Sequence, residues 1–573
     1  MDPAPNRVLS DWLRNGRPLR PATLILAAVL ALALLISTFF YSGYFASDDA
    51  SYLYGIKAVC GESRLVPSNL GGVRLGVTAP AALVYRFAHA SIFATIASFL
   101  IYPPLMALVA YWMGRRIHSV TTGLVAAFLV ATCPIVYCFA GAILPDNPMS
   151  FWAGLSLLAA TGAIIAGHRE DPRPAREAVG FLAAGLLLGL AYMAKETALI
   201  LVVPLALAGI LAGPRFSIGR LGSLAVLFVM GFAAALLLEA VCLRQIAGVW
   251  FWRLATSQDA AVMTAFRAKA EQQGWQVSAR LGALASELRP LLGAPSVWLL
   301  AALPLYPILT RAGEGRRKAA LVLLATFIWT FLYLTFGSAS FKRYQPPTIQ
   351  ARYYALCVVP FAVMVAQVLT WATERLARLR RPRILWTAVA ALLTLGGPAL
   401  WAGHLFLQNR ERSGLIFRSQ ETKAFLLALQ DLRSHYPDRP IVISQYLTLS
   451  MRPILGHAGN VDPSLWLAPL GTEHRDGKLP AEEFILLASA NPNRPDSLLA
   501  SIEQAATRNE LTLRPAGLGV YAAPLGKTAE LKFYLYPLLS AAPPPNVRLG
   551  TWWAMKACFV QRKDIATRPA TGG

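Results

Sequence analysis

The sequence predicts a mainly α-helical, polytopic membrane protein with a smaller α/β domain outside the membrane at its carboxyl end. Of its 573 residues, 56% are hydrophobic and only 14% are charged. The mean hydropathy of +0.48 is too high for a soluble protein. Basic residues also recur in short loops between apolar stretches, which is the pattern that orients membrane helices.

Apolar stretches recur along most of the chain. Several windows of roughly 15 to 24 residues carry almost no charge, which suffices to cross a hydrocarbon core about 30 Å thick with modest tilt. The clearest windows are Ala22 to Tyr41, Ser91 to Met113, Val120 to Phe139, Met149 to Gly167, Leu221 to Val241, Ser296 to Thr310, Ala319 to Phe336, Tyr354 to Thr370 and Leu385 to His404.

A further apolar run, Gly180 to Gly213, is too long for one crossing and short for two full ones. Its only charges are Lys195 and Glu196. We expect a hairpin of two short helices with this pair at the tip, near the outer interface. The chain would then have about 11 to 13 transmembrane helices.

The basic loops predict the orientation of the chain. The formal net charge is +23, but a nucleic-acid partner is not expected, because these residues are spread over short loops instead of one folded face. Such loops favour the cytoplasm, as does the basic amino terminus. They are "GRRIHS" at 114–119, "GHREDPRPARE" at 167–177, "GPRFSIGR" at 213–220, "RAGEGRRK" at 311–318 and "ERLARLRRPR" at 374–383.

The chain is expected to contain two domains. Residues 1–404 would form the transmembrane domain, with a long first outer loop at 42–90. Residues 405–573 are polar and proline-rich and include the β-branched run "PIVIS" and the apolar segment "EFILLAS". This composition predicts a small α/β domain on the outer side of the membrane.

Three acids fall at predicted outer helix ends. Asp48 and Asp49 follow the first span in "YSGYFASDDASYLY", and Asp146 precedes a later span in "LPDNPMSFW". Carboxylates at membrane depth are costly, so they are rare unless they face water or have a function. Capping of the helices that follow explains the acids about as well.

Basic residues also occur on the predicted outer side. Lys195 lies in the apolar hairpin, where Glu196 is its simplest partner, while Lys342, Arg343 and Arg352 lie in "FGSASFKRYQPPTIQARYYALCVVP". A positive cluster on this side runs against the usual bias of membrane proteins. Its natural partner is an anion, and phosphate is the common one.

Acids and cations at one membrane face predict a site for a phosphate-bearing lipid and a nucleophile. A carboxylate would act as general base on the acceptor, and the cations would neutralise the departing phosphate. No metal site is predicted, because the seven histidines never fall at ligand spacing. A divalent ion on the acid pair stays possible. The sequence contains no P-loop, nucleophile elbow or dinucleotide fingerprint, so a nucleotide energy source is not expected.

Five motifs in a fixed order resemble the GT-C superfamily of membrane glycosyltransferases. More narrowly, they resemble the branch of the bacterial aminoarabinose transferases of lipid A and the protein O-mannosyltransferases. The resemblance covers roughly residues 20–370. The motifs are "SDDASYLY", "GGVRLGVTAP", "LPDNPMSFWAGLSLLAA", "FLAAGLLLGLAYMAKETALILVVPLAL" and "ARYYALCVVPFAVMVA".

This resemblance implies a GT-C-like helical fold and an inverting transfer of a sugar from a polyprenyl-phosphate carrier. The acceptor would be a lipid, a glycan or a protein on the outer face of a bacterial inner membrane. Asp48 matches the catalytic acid of the family, Asp49 its supporting neighbour and Asp146 the later acid. Lys195 matches the lysine of the hairpin motif and would bind the donor phosphate. Arg74 and Arg352 are candidates for the same role.

The sequence departs from the aminoarabinose enzymes in two places. Glu196 stands where they carry glycine, and "QARYY" replaces their "KLPTY"-like stretch. The donor sugar and the acceptor are therefore open. A transporter or flippase of a lipid-linked sugar is the main alternative function, although the two halves of the chain lack the resemblance expected of paired repeats. A sensor or scaffold is a third.

Overall fold

The structure is a computed structural model, and its described residues fall in discrete ranges. In the first part of the chain these are 21–41, 48–63, 65, 71–168, 174–213, 217–248, 250, 273–274, 276–292, 313–338, 344–377 and 397–410. In the last part they are residues 429, 432 and 434 and five short strands.

Helices make up most of the described chain. The α-helices are α1 Pro21–Phe39, α2 Asp48–Val59, α3 Leu75–Phe87, α4 Ile92–Ala97, α5 Tyr102–Ile117, α6 Val120–Ala131, α7 Pro134–Tyr137, α8 Asp146–Gly167, α9 Pro174–Ala194, α10 Val202–Leu211, α11 Ile218–Ala247, α12 Val277–Leu292, α13 Glu314–Phe336, α14 Ala355–Ala377 and α15 Gly397–Arg410. Short 3₁₀ helices cover Ser98–Ile101, Glu196–Leu201 and Ala351–Tyr354.

The predicted polytopic helical membrane fold is confirmed. Among the described residues, seven helical stretches are long and apolar enough to cross a membrane, and three shorter apolar helices accompany them. The predicted span Ser296 to Thr310 lies outside the described residues, as does most of Leu385 to His404. The total of 11 to 13 helices therefore stays a prediction.

Helix α8 lies at the centre of the transmembrane unit. It packs against α5, α9, α13 and α14. Its partner α9 also packs closely on α11, where a Cβ atom added to Gly185 would lie only 1.9 Å from the carbonyl oxygen of Phe228. Glycine at such a contact lets two membrane helices approach backbone to backbone. The position of α9, which ends at the candidate site, is thereby fixed.

The predicted break of the apolar hairpin is found at Lys195. This residue adopts an extended conformation, with φ −161° and ψ 136°, between α9 and the 3₁₀ helix Glu196–Leu201. The hydroxyl group of Thr197 donates a hydrogen bond to Sδ of Met149 at 3.2 Å. This contact ties the start of the second hairpin arm to the first turns of α8.

The predicted span Val120 to Phe139 is shorter than expected. Its α-helix ends at Ala131, and Cys133 is extended, with φ −79° and ψ 121°. Proline lacks an amide hydrogen and clashes with the preceding turn, so Pro134 is better accommodated at the start of a helix than in its interior. The short helix α7 begins there.

The chain divides into two compact units. The first comprises 1–41 and 65–413, and the second comprises 42–64 and 414–573. The second unit holds a mixed sheet of β1 Ile441–Ile443, β2 Leu465–Leu467, β3 Glu483–Ser489, β4 Leu511–Pro515 and β5 Met555–Arg562. The strand order is β2-β1-β3-β5-β4. Strand β1 pairs in parallel with β2 and β3, whereas β5 is antiparallel to β3 and β4. The expected boundary between 404 and 405 stays a prediction.

Candidate active site

Lys195 is the centre of a buried charge cluster. Its Nζ atom donates a hydrogen bond to Oδ1 of Asp146 at 2.5 Å and lies 3.6 Å from the ring centroid of Tyr353. The side chains of Lys195 and Asp146 are only 7% and 1% exposed. An ammonium group buried this deeply requires a carboxylate partner, and an aromatic face adds further stabilisation.

Asp146 is the first residue of α8, and the interpretation that it caps this helix is wrong. The cap position is Pro145, and no side chain caps the helix there. The carboxylate instead accepts from Lys195. Its second oxygen, Oδ2, is buried without a hydrogen-bond donor among the described residues and lies 3.8 Å from Nε of Arg352.

Arg352 reaches Asp146 from a different element. It lies in the 3₁₀ helix Ala351–Tyr354, and its Nε atom donates to Oε1 of Gln350 at 2.9 Å. Its guanidinium carbon is 5.5 Å from the ring centroid of Tyr353. Tyr353 therefore contacts both Lys195 and Arg352. Its presence in the motif "QARYY" could have identified it as a candidate site residue.

The expected pairing of Lys195 with Glu196 is wrong. Glu196 accepts from Arg74, with Nη2 to Oε2 at 2.8 Å and Nε to Oε1 at 3.5 Å. Arg74 reaches this point because the first turn of α3 lies against the end of α9, where a Cβ atom on Gly76 would be 2.4 Å from the amide nitrogen of Ala194. Only glycine allows this approach.

The cluster has a positive charge balance. Lys195, Arg74 and Arg352 are cationic, and their partners Asp146 and Glu196 are anionic. Arg352 and Arg74 also lie close enough to Lys195 to act on its charge by repulsion. Among these five described residues the formal charges sum to +1, and such a balance at a break between apolar helices is suited to an anionic group such as a phosphate.

Asp48 and Asp49 form the first turn of α2, which belongs to the second unit. Asp48 is exposed. Asp49 is fully buried, and its Oδ1 accepts from the amide of Ala50 at 3.0 Å. Carboxylates in a first turn interact favourably with the helix dipole. In the same helix, burial lowers the pKa of Lys57, and the carboxylate of Glu62 opposes this shift.

Two predicted cations, Lys342 and Arg343, lie outside the described residues. Within the described ranges, no group of three or more histidine, cysteine, aspartate or glutamate residues could hold a metal ion. Besides Tyr353, sequence reasoning missed Gln350 and Gly76. A glycine signals a close contact only once its neighbour is known, so no local pattern identified Gly76.

An apolar cavity of about 620 Å³ lies along α3, the helix that begins directly after Arg74. Its walls come from α1, from α3 and from residues 97–104, and α3 contributes Pro80, Ala81 and Val84. At 1.5 Å of rise per residue, Val84 is about 15 Å along the helix from Arg74. One helix thus connects the charged cluster to the apolar cavity.

The fold is that of known membrane glycosyltransferases. The structure is similar to that of ArnT from Cupriavidus metallidurans bound to undecaprenyl phosphate, with a TM-score of 0.52, 12% identity and coverage of 94% of this chain and 97% of that chain. The apo form of that protein gives a TM-score of 0.51 at 13% identity, with the same coverage. The chain therefore shares the fold of this protein, as its resemblance to the GT-C membrane glycosyltransferases predicts.

Within this class, residues 76–243 match the family described as dolichyl-phosphate-mannose-protein mannosyltransferase. The chain therefore resembles the branch of the aminoarabinose transferases and the protein O-mannosyltransferases. The apo oligosaccharyltransferase of Archaeoglobus fulgidus is also similar, with a TM-score of 0.50 and 15% identity over 75% of this chain. This chain spans 63% of the length of that protein. No curated protein sequence matches the chain.

Proposed function

We propose that the protein is an inverting glycosyltransferase that moves a sugar from a polyprenyl-phosphate carrier to a lipid, glycan or protein acceptor. The reaction takes place on the periplasmic face of a bacterial inner membrane. The amino terminus is cytoplasmic, and residues 405–573 form the outer domain. The similarity to a structure bound to undecaprenyl phosphate supports this choice of donor.

The observation that carries the proposal is the cluster of Lys195, Arg352 and Arg74 around Asp146 and Glu196. Transfer of the sugar breaks the bond between the anomeric carbon and the phosphate oxygen. The phosphate leaves with the bonding electrons and gains negative charge as the bond breaks. Cations held in a low-dielectric site stabilise that charge most strongly in the transition state, which is the requirement for catalysis.

Asp48 is the proposed general base. Its carboxylate takes the proton of the acceptor hydroxyl or amide while the acceptor atom attacks the anomeric carbon from the face opposite the phosphate. The configuration at that carbon therefore inverts. Asp49 supports the base. The exposed side chain of Asp48 suits a group that must meet an acceptor, whereas the buried Asp49 suits a supporting role.

The apolar cavity along α3 is proposed to hold the hydrocarbon chain of the carrier. A polyprenyl phosphate combines an anionic head with a long apolar tail, and α3 runs from Arg74 to the cavity wall at Val84. A tail in the cavity would place its phosphate near the cations.

The proposal is tested with purified protein in detergent, a defined polyprenyl-phosphate sugar and a defined acceptor. We expect consumption of the donor without any second compartment, which a transporter or flippase would not catalyse. Asp48→Asn should lower transfer by roughly 100- to 10,000-fold, the range that a general base contributes. Glu314→Gln, which changes an exposed acid at the start of α13, is the matched control. Full activity in Asp48→Asn would exclude this base.

A further inference from the structure

The residues before Arg352 form an extended segment that is held along one edge. This strap comprises residues 344–351, and Gln350 within it has φ −142° and ψ 135°. Three side chains from residues 273–287 bind backbone groups of the strap at alternate positions. In an extended chain, the backbone groups of alternate residues point to the same side. One edge of the strap is thus paired with side chains instead of a second strand.

Gln273 makes the most specific of these contacts. Its side-chain amide donates from Nε2 to the carbonyl oxygen of Ile349 at 2.9 Å and accepts at Oε1 from the amide of the same residue at 2.8 Å. Ile349 is fully buried. The contact requires both a donor and an acceptor, so only an amide side chain of this length satisfies it.

Arg280 and Glu287 bind the strap on either side of Ile349. Arg280 donates from Nη2 to the carbonyl oxygen of Pro347 at 2.6 Å and from Nε to that of Thr335 at 2.8 Å. Glu287 accepts from the amide of Ala351 at 3.2 Å. Arg280 is fully buried, and a buried guanidinium held by two carbonyl groups fixes the strap to the end of α13.

We propose that Gln273, Arg280 and Glu287 are positioning residues that hold Arg352 at Asp146 and so shape the site for the donor phosphate. We call these three residues the clasp. The last contact of the clasp, at Ala351, is adjacent to Arg352, and Gln350 accepts directly from its guanidinium group. One edge of the strap is bound to the clasp, and Arg352 directly follows its last residue. The clasp residues lie in the segment that follows α11, so this segment would help to position Arg352.

The inference rests on the proposed function, so its test combines a structural and a catalytic measurement. Gln273→Leu removes both hydrogen bonds at nearly constant volume. Hydrogen exchange of a peptide covering 344–352 should become faster, and transfer should fall about tenfold, because two buried backbone groups lose their partners. Gln276→Leu, an exposed glutamine of the same segment, should change neither. Unchanged exchange in Gln273→Leu would overturn the clasp.

A double variant tests whether the clasp acts through Arg352. In an Arg352→Gln background, Gln273→Leu should cause no further loss of transfer, because the group it positions is already gone. A second tenfold loss in that background would overturn the inference. Wild-type transfer by Arg352→Gln would refute the role of Arg352 in the proposed function, whereas hydrogen exchange would still report the clasp contacts separately.

Discussion

The Nζ atom of Lys195 lies 2.5 Å from Oδ1 of Asp146, although the two residues are 49 positions apart in the chain. Each belongs to a different part of the bundle, one at the break of the hairpin and the other at the start of α8. The pair neutralises two charges that neither element could bury alone. It also leaves Oδ2 of Asp146 directed towards Arg352.

Removal of one partner of this pair should be more harmful to folding than removal of both. Lys195→Met leaves a buried carboxylate whose remaining ion-pair contact is Arg352 at 3.8 Å, and we expect a loss of about 3–5 kcal/mol of unfolding free energy. The double variant Lys195→Met/Asp146→Leu should recover most of that loss, because the two buried charges of the pair are removed together. Thermal unfolding of the purified proteins measures both effects.

Transfer activity should separate from stability in the same variants. Lys195→Met and the double variant should both be at least about 100-fold less active than the wild type, because oriented charges at the reacting group contribute on this scale. A double variant that is as unstable as Lys195→Met would contradict the buried-pair interpretation. A stable and fully active double variant would contradict the role of Lys195 at the donor phosphate.

Gly76→Ala should disturb the site through the backbone. The new Cβ atom would lie 2.4 Å from the amide nitrogen of Ala194, so α3 must move away from α9 and carry Arg74 from Glu196. We expect a loss of about 1–3 kcal/mol of stability and weaker donor binding. The control is Gly222→Ala in α11, because no atom lies within 4 Å of the added Cβ atom there. Helix propensity should make that variant neutral or up to about 1 kcal/mol more stable. Equal effects in the two variants would refute the close contact.

Arg74→Lys should distinguish a donor-binding arginine from a purely structural one. Lysine keeps the charge but loses the planar fork that binds two oxygens at once. If Arg74 also binds the donor phosphate, the KM of Arg74→Lys for the donor should rise about tenfold. Glu196→Gln removes only the partner carboxylate of Arg74, so its KM for the donor should change less. Steady-state kinetics over a range of donor concentrations decides between them. The same rise in both variants would mean that Arg74 acts only through Glu196.

Val84→Trp should obstruct the apolar cavity. Val84 lines the cavity, whereas Leu83 does not and is 60% exposed. We expect donor KM to rise about tenfold with a long polyprenyl chain, because the indole would occupy the space of the tail. A chain of two isoprene units places less hydrocarbon there, so its KM should change little. Leu83→Trp should leave both values unchanged. An equal effect on short and long donors would remove the cavity from the proposal.

The sequence predicted the membrane bundle better than it predicted the pairing of charges. The windows that became α1, α8, α11, α13 and α14 were visible as local hydropathy, and the hairpin break at Lys195 was visible as a charge in an apolar run. The partner of Lys195 was not. Proximity in the chain favoured Glu196, but the fold gives Glu196 to Arg74 and Lys195 to Asp146.

Composition and the uncharged apolar windows alone predicted a multi-pass helical protein, because a residue's transfer into hydrocarbon depends on its own chemistry and that of its close neighbours. The order of the motifs then indicated the glycosyltransferase class. Which cation meets which acid, and which glutamine holds the strap, was decided only by folding. Those contacts join residues 49 to 122 positions apart, and local sequence carries no information about which distant groups will satisfy a buried charge or backbone amide.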